Sequence, residues 1–308
     1  MTNPTLSWNL VHDIHELLAY RFMINALQAG TVVAVMAGAV GWYMVLRRQS
    51  FAGHTIAVMS FPGAAGAALA GVPSALGYYL ACGIAALAIG RRRGADRSGR
   101  SWESAAIGVV QVAGLALGFL FLSLYSGVLE QLETLLFGTF LGIDRTQVLT
   151  LVVLAAVVLG ALALVGRPLL LASLDPEVAR ARGVPVGALD LGFMLLLGFT
   201  VAATSQITGA LLVFALLVAP PAAAQAITSR PGLGLALSVG FALLITWLGL
   251  GAAYFSIYPL GFFVTTFGFC VFLLAKLAGF ARARARASHG GRGVGESGRG
   301  ELEPVGMT

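Results

Sequence analysis

Long apolar segments recur from residue 22 to residue 279, and they constrain this chain more than any other feature. A helix needs about 20 apolar residues to cross the hydrocarbon core of a bilayer. Only 10% of the residues are charged, against about a quarter in soluble domains. A water-soluble fold of this size cannot hide so much apolar surface. The sequence therefore predicts an all-α, polytopic integral membrane protein.

The apolar segments define about nine transmembrane spans, or eight if residues 52–90 and 188–228 are divided differently. Together they predict one transmembrane domain over residues 21–280. Residues 281–308 are rich in Gly and Arg and predict a disordered tail. The nine segments lie near 22–46, 52–71, 73–90, 102–125, 147–165, 188–204, 208–228, 232–254 and 257–279.

Residues 1–20 precede the first span and contain the run "HDIHELLAY". The mixture of polar and apolar residues predicts a short amphipathic helix at the outer membrane surface. His12 and His15 offer an alternative interpretation, because two histidines three residues apart on a helix can bind zinc.

The basic residues fall almost wholly on one side of the predicted spans. If the odd-numbered spans end on that side, every lysine and arginine except Arg21 and Arg145 lies there or near it. The positive-inside rule makes that side cytoplasmic, with the N-terminus outside and the C-terminus inside. The net charge of +6 is then a consequence of topology, and no nucleic-acid partner is expected.

One loop on the arginine-rich side has the sequence signals of a helix. The run "SLDPEVARARGVPVG" at 173–187 offers Ser173 or Asp175 as an N-cap and Pro176 at the first helical position. Gly183 provides a C-terminal stop. A loop that only joined two spans would be shorter, so we expect a separate cytoplasmic helix at this place.

Several catalytic classes are excluded or weakly supported by the sequence. A P-loop needs a lysine beside Ser or Thr, but the only lysine is Lys276, followed by Leu277. The chain contains no HExxH motif, and nothing in it identifies a nucleophile for an intramembrane protease. We therefore expect a transport protein, a channel or a subunit of a membrane complex, and not an enzyme.

Six runs, in this order and at this spacing, identify a resemblance to the membrane permease subunits of bacterial ABC importers for zinc, manganese or iron(II). The resemblance covers residues 20–280. Each run alone is mostly apolar and has little specificity, whereas the ordered set is specific. The runs are "FMINALQAGTVVAVMAGAVGWYMVLRRQSFAGHTIAVMSFPG", "ESAAIGVVQVAGLALG", "LLFGTFLGI", "SLDPEVARARGVPV", "ITGALLVFALLVAPPAAAQAI" and "YPLGFFVTTFGFCVFLL".

This resemblance implies a multi-pass protein of the bacterial cell membrane that works as a homodimer. It implies a cytoplasmic ATP-binding subunit and an external metal-binding protein as partners, with a divalent metal ion as cargo and no resident cofactor. It also implies that the helix at 173–187 docks on the ATPase. The residues that we assign to this coupling are Asp175, Glu177, Ala179, Arg180 and Gly183.

The metal path is where the chain departs from the family pattern. That pattern is Gly-Asp-x-x-x-His after a double arginine, and here His54 replaces the Asp while Val58 replaces the His. A two-ligand site cannot be carried over, since Val58 cannot bind a metal. Imidazole suits zinc better than manganese, so zinc is the expected cargo, with manganese or iron(II) as the alternative. A hydrogen-bonded histidine that only packs between helices is the alternative role for His54.

Three further residues are candidates for the transport path. Glu130 and Glu133 lie one helical turn apart on the predicted outer side and can attract a cation, unless they form only a solvated face. Pro220, followed by a second proline, removes a backbone donor and frees a carbonyl inside a span, unless the bend is purely structural. An ATP-independent channel or secondary carrier remains the alternative from another class.

Overall fold

The computed structural model describes residues 19–95, 100–124, 136, 142–210, 213–256 and 258–290, with side chains outside 92–106 and 281–290. Every regular element in these residues is helical, which confirms the all-α class. The helices are α1 (Arg21–Leu46), α2 (Ser50–Leu69), α3 (Ser74–Ala95), α4 (Arg100–Leu124), α5 (Arg145–Leu174), α6 (Pro176–Ala181), α7 (Val186–Thr208), α8 (Val213–Ile227), α9 (Pro231–Tyr254) and α10 (Leu260–Gly290).

Within the described ranges, seven helices are long and apolar enough to cross a membrane, namely α1, α3, α4, α5, α7, α9 and α10. The predicted count of nine is therefore not confirmed. The other two predicted spans correspond to α2 and α8. Helix α2 has 20 residues, but several glycines, a histidine and a proline reduce its apolar character. Helix α8 begins directly after residues 211 and 212, which lie outside the described residues, and its described part has 15 residues.

Helix α1 lies at the centre of the bundle, and 72% of its most apolar window is buried, more than in any of the other spans identified. It contacts α9 in antiparallel fashion through small residues. Ser238 Oγ donates to the Gly38 carbonyl at 2.7 Å, and an added Cβ on Gly38 would lie 2.8 Å from the Cα of Val239. Lipid provides no hydrophobic force between helices, so close packing of this kind stabilises the pair.

Helices α2, α3 and α4 form a second group beside the centre. Helices α2 and α3 are antiparallel, with the backbones of Gly63 and Gly77 in direct contact. Helix α4 runs parallel to α2, and Phe61 packs edge-on against Phe119 with the ring centroids 5.3 Å apart. The outward-facing side chains of α4 and α5 are apolar and exposed, as expected for surfaces that contact lipid.

The predicted tail begins inside the last helix. It was expected from residue 281, whereas α10 continues to Gly290, and the disorder predicted for residues 281–308 stays a prediction. The added segment begins with alternating alanine and arginine, and both residue types have high helix propensity even though the segment is too charged for a span. The change from apolar to charged residues near residue 280 shows where the apolar segment ends, but the helix itself continues beyond that point. Residues 291–308 and 1–18 lie outside the described residues.

The contact between α1 and α8 leads to a test of packing. An added Cβ on Gly41 would collide with the Leu217 carbonyl oxygen, which is backbone and cannot turn aside, and would lie 3.0 Å from Pro221 Cγ. We expect Gly41→Ala to cost about 1–3 kcal/mol, as overpacking does, and to lower the apparent Tm of the protein in detergent. The control is Gly240→Ala on α9, where nothing lies within 4 Å. Equal Tm values for both variants would contradict close contact at Gly41.

Candidate functional site

The predicted helix between the fifth and sixth spans is present as α6 and is capped at its start by Asp175. The Asp175 side chain accepts hydrogen bonds from the backbone N–H groups of Glu177 and Val178, both at 3.0 Å. Pro176 occupies the first turn, where its missing N–H is not needed. Of the two N-caps that the sequence offered, Asp175 is therefore the one used.

The end of α6 is closed by a Schellman motif. Gly183 has φ of 77°, its N–H donates to the Arg180 carbonyl at 2.9 Å, and the Val184 N–H donates to the Ala179 carbonyl at 3.0 Å. Glycine suits this left-handed conformation because it has no Cβ. With both ends capped, α6 is a defined element of six residues.

The predicted coupling residues divide between two faces of α6. Asp175, Glu177, Arg180 and Gly183 are exposed, whereas Ala179 is fully buried. Ala179 therefore packs α6 against the bundle, and its role in coupling stays a prediction. The charged face is the part of α6 that is open to another protein.

Sequence analysis missed a polar cluster at the base of α6. Arg47, at the end of α1, forms an ion pair with Asp190 of α7 and donates to Ser173 Oγ of α5 at 3.0 Å. The Arg47 side chain is only 7% exposed. Asp190 is 143 residues away in sequence, and no local sequence pattern connects it with Arg47. The only hint in the sequence was that each of them is a charged residue close to a predicted span.

His54 lies one turn into α2 and is partly buried. Its ring packs at 60° against Phe214 of α8, with the centroids 4.8 Å apart. Its Nδ1 atom is buried and has no hydrogen-bond partner in the described part of the chain. In the tautomer that is protonated at Nε2, this nitrogen has a lone pair that another ligand can use. Both the metal role of His54 and the alternative of a packing histidine stay predictions.

Within the described residues, His54 is not part of a complete metal site. The described residues contain no group of three His, Cys, Asp or Glu side chains placed to hold a metal ion. One imidazole alone binds weakly, so a site at His54 needs further ligands from water, backbone carbonyls or a second chain. Glu130 and Glu133, the predicted outer acids, lie outside the described residues.

Helix α7 ends in a break next to the polar run "TSQIT", which separated the predicted spans 188–204 and 208–228, and the structure shows that this break is buried. Gly209 has φ of 79° and caps α7, and Ala210 beside it is buried. Hydrogen-bonded polar side chains lie close to this break. Ser205 Oγ donates to Ser60 Oγ of α2 at 3.2 Å, and Thr208 Oγ1 donates back to the Thr204 carbonyl at 3.1 Å. Irregular backbone at membrane depth is stable only when it is covered by protein in this way.

The double proline lies inside α8, and both rings are buried. Pro221 lacks the N–H that would bond the carbonyl four residues earlier, that of Leu217. The Leu217 carbonyl lies instead against Gly41 of α1. The carbonyl that Pro221 leaves without its helical hydrogen bond, that of Leu217, therefore lies at the contact between α8 and α1. The role of Pro220 in a transport path stays a prediction.

An apolar groove of about 470 Å³ lies between α2, α3 and α4. Among its described lining residues, the only side-chain heteroatoms are the Thr55 hydroxyl and the Met59 sulfur. The Thr55 hydroxyl donates to the Phe51 carbonyl at 2.9 Å and accepts from Gln111 at 2.8 Å. A hard divalent cation needs several oxygen ligands, and this described lining does not provide them.

The helices, their length and the apolar exterior define the protein as a multi-pass helical membrane protein. Comparison with known families then makes the assignment specific. Residues 19–279 match the model of the ABC 3 transport family, and the chain belongs to that family. The expectation drawn from the six sequence runs is thereby confirmed.

The similar proteins are membrane components of metal transport systems. The manganese transport system membrane protein MntC of Halalkalibacterium halodurans is 32% identical over 81% of this chain and 83% of the relative. The chelated iron transport system membrane protein YfeC of Yersinia pestis is 30% identical over 78% and 79%. The structure of PsaBC from Streptococcus pneumoniae in complex with Fab has a TM-score of 0.77 at 27% identity, over 86% of this chain and 95% of that chain.

The cap of α6 can be tested directly. Asp175→Ala removes the acceptor for two backbone N–H groups and should destabilise α6 by about 1 kcal/mol. Amide hydrogen exchange in residues 176–181 should then become roughly fivefold faster, measured by mass spectrometry. Asp175→Asn is the control, because its amide oxygen is also a good N-cap. Equal exchange in the alanine variant and the original protein would show that the cap does not stabilise α6.

Proposed function

We propose that this chain is the membrane-spanning subunit of an ATP-driven importer for a divalent transition-metal ion. The observation that carries the proposal is α6, a short helix capped at both ends, with a charged exposed face, inserted between two spans. A channel or secondary carrier does not need such an element. Membership of the ABC 3 transport family supports the same interpretation.

The proposal assigns α6 as the docking element for a cytoplasmic ATP-binding subunit. ATP binding on that subunit pushes on α6 and switches the permease between outward and inward openings, and each ligand must favour one of these states for coupling to occur. The arginine bias supports a cytoplasmic position for α6, an external N-terminus and a cytoplasmic C-terminus. An external metal-binding protein delivers the cargo, and two copies of this chain enclose the path.

Two observations bear on which metal is carried, and they favour different ions. His54 presents an imidazole nitrogen with no partner in the described residues, and nitrogen ligands suit zinc. The names of similar proteins refer to manganese and to iron. Zinc is our proposal from the chemistry of His54, and manganese is the second candidate. A single weak ligand suits conduction in either case, because an ion held tightly would not leave.

The docking role of α6 predicts a specific loss of assembly. Reversing both exposed charges, Glu177→Lys with Arg180→Glu, leaves the net charge unchanged but inverts the pattern that a partner would contact. We expect the ATPase subunit to be lost from pull-downs of tagged permease, while membrane insertion is retained. Arg145→Glu is the control, since it lies at the opposite end of α5. An unchanged ATPase yield in the double variant would remove α6 as the docking element.

The metal role of His54 predicts a change in uptake without a change in assembly. His54→Ala should lower zinc uptake by about tenfold, the effect of losing about 1.4 kcal/mol of ligand interaction. His54→Asp with Val58→His should shift preference toward manganese by adding an oxygen ligand. Uptake of radioactive zinc and manganese into cells is the measurement, with ATPase pull-down as the check on assembly. Val58→Ala is the control, because it removes no ligand. Unchanged zinc uptake in His54→Ala would show that the histidine has no metal role and only packs between helices.

A further inference from the structure

The polar cluster at Arg47 joins three separate helices at the base of α6. Arg47 closes α1, and its guanidinium reaches Ser173 in the last turn of α5 at 3.0 Å and Asp190 near the start of α7. Ser173 and Asp190 lie on the two segments that enter and leave α6. Both ends of the inserted helix are thus held by one side chain that belongs to a different part of the fold.

Aromatic packing fixes the position of this guanidinium. The Arg47 Cζ atom lies 5.4 Å from the centroid of the Phe193 ring, on the face of α7 that also carries Asp190. One turn earlier on α1, the Tyr43 hydroxyl donates to the Gly166 carbonyl of α5 at 3.3 Å. The planar fork of arginine holds five N–H donors in a fixed geometry, whereas the three donors of a lysine ammonium rotate about a flexible stem. These contacts therefore hold the C-terminal end of α1 in a fixed position relative to both α5 and α7.

In the chain, Arg47 is followed by a short turn that connects α1 to α2. The turn between α1 and α2 is tight: Arg48 has φ of 53°, its N–H donates to the Val45 carbonyl at 3.0 Å, and the Gln49 N–H donates to the Met44 carbonyl at 2.9 Å. Met44 also packs against Gly53, the residue before His54. A displacement of Arg47 is thus carried into the first turns of α2 by short, defined contacts.

From this geometry we propose that Arg47 is the positioning residue that transmits movement of α6 to the α1–α2 turn and so to His54. A buried ion pair is no more stabilising than well-packed apolar residues of the same volume, whereas it fixes the register of the elements it joins. Hydrogen-bond and ion-pair networks that join rigid elements in this way can carry coupling between distant sites. This inference rests on the proposed function, because it takes α6 as the element on which the ATPase acts.

The test is the number of metal ions imported per ATP hydrolysed, measured in proteoliposomes with the complex that co-purifies with the permease and its external binding protein. Manganese and zinc are the probes. This ratio does not depend on how much of the protein is active, so a merely structural role for Arg47 leaves it unchanged. Arg47→Gln should lower the ratio by about tenfold, within the range typical of coupling between sites, while hydrolysis continues. Arg47→Lys, which retains the charge, should recover part of the loss.

Arg48→Gln is the matched control, because it removes the same charge from the next residue, which is exposed, and it should leave the ratio unchanged. If Arg47→Gln does not assemble, Ser173→Ala removes only the 3.0 Å hydrogen bond and should lower the ratio by a smaller factor. An equal fall of import and hydrolysis in Arg47→Gln, or an unchanged ratio in Ser173→Ala, would overturn the proposal. Failure of the proposed function is a different result, namely the absence of ATP-dependent import by the original complex.

Discussion

The fold depends on how closely other helices approach α1. In a membrane, lipid is as apolar as the helix surface, so helices associate through van der Waals contact, hydrogen bonds and small residues. Helix α1 provides this contact on several sides, with Gly38 against α9, Gly41 against α8 and the Tyr43 hydroxyl against α5. Because α1 is central, its C-terminal end is also the place where the elements around α6 meet.

The arrangement separates three kinds of polar structure. Polar groups at membrane depth, such as Ser60, Ser205 and Ser238, are buried and paired within the bundle, as the low dielectric requires. The charged pair at Arg47 and Asp190 lies at one end, beside the capped helix α6. His54 belongs to a third group, in which a buried polar atom has no hydrogen-bond partner within the described part of the chain. Trp42, Gln49 and Thr246 also have such an atom.

Local features of the sequence predicted local features of the structure well. Apolar length predicted most of the spans, and Asp175, Pro176 and Gly183 predicted both ends of α6 because caps act over three or four residues. The extent of α10 was missed because helix propensity continues where hydropathy stops. The break beside Gly209 was expected between the predicted spans 188–204 and 208–228. Its burial was not, since a polar run such as "TSQIT" does not show whether it turns inside the bundle or outside it.

Contacts over long sequence distances could not be predicted from one chain. The pairing of Arg47 with Asp190 and the contact of Ser60 with Ser205 bring together residues 143 and 145 positions apart. Each residue alone is compatible with many partners, and only the packing of α1, α2, α5 and α7 selects one. The candidate metal path was likewise predicted only at His54. Its remaining ligands depend on neighbours that helical periodicity within one chain does not specify.

The glycine contacts of α1 have a mechanical consequence. Where Gly38 meets Val239 and Gly41 meets Leu217, backbone touches backbone with no intervening layer of side chains. Side chains can change rotamer to let two helices slide, but backbones in contact cannot do so without losing their packing. Helices α1, α8 and α9 therefore behave as one rigid block. Helices α2 and α3 form a second such block, because Gly63 meets Gly77 through backbone as well. We therefore expect any opening of the protein at contacts made by apolar side chains, such as Phe61 of α2 against Phe119 of α4.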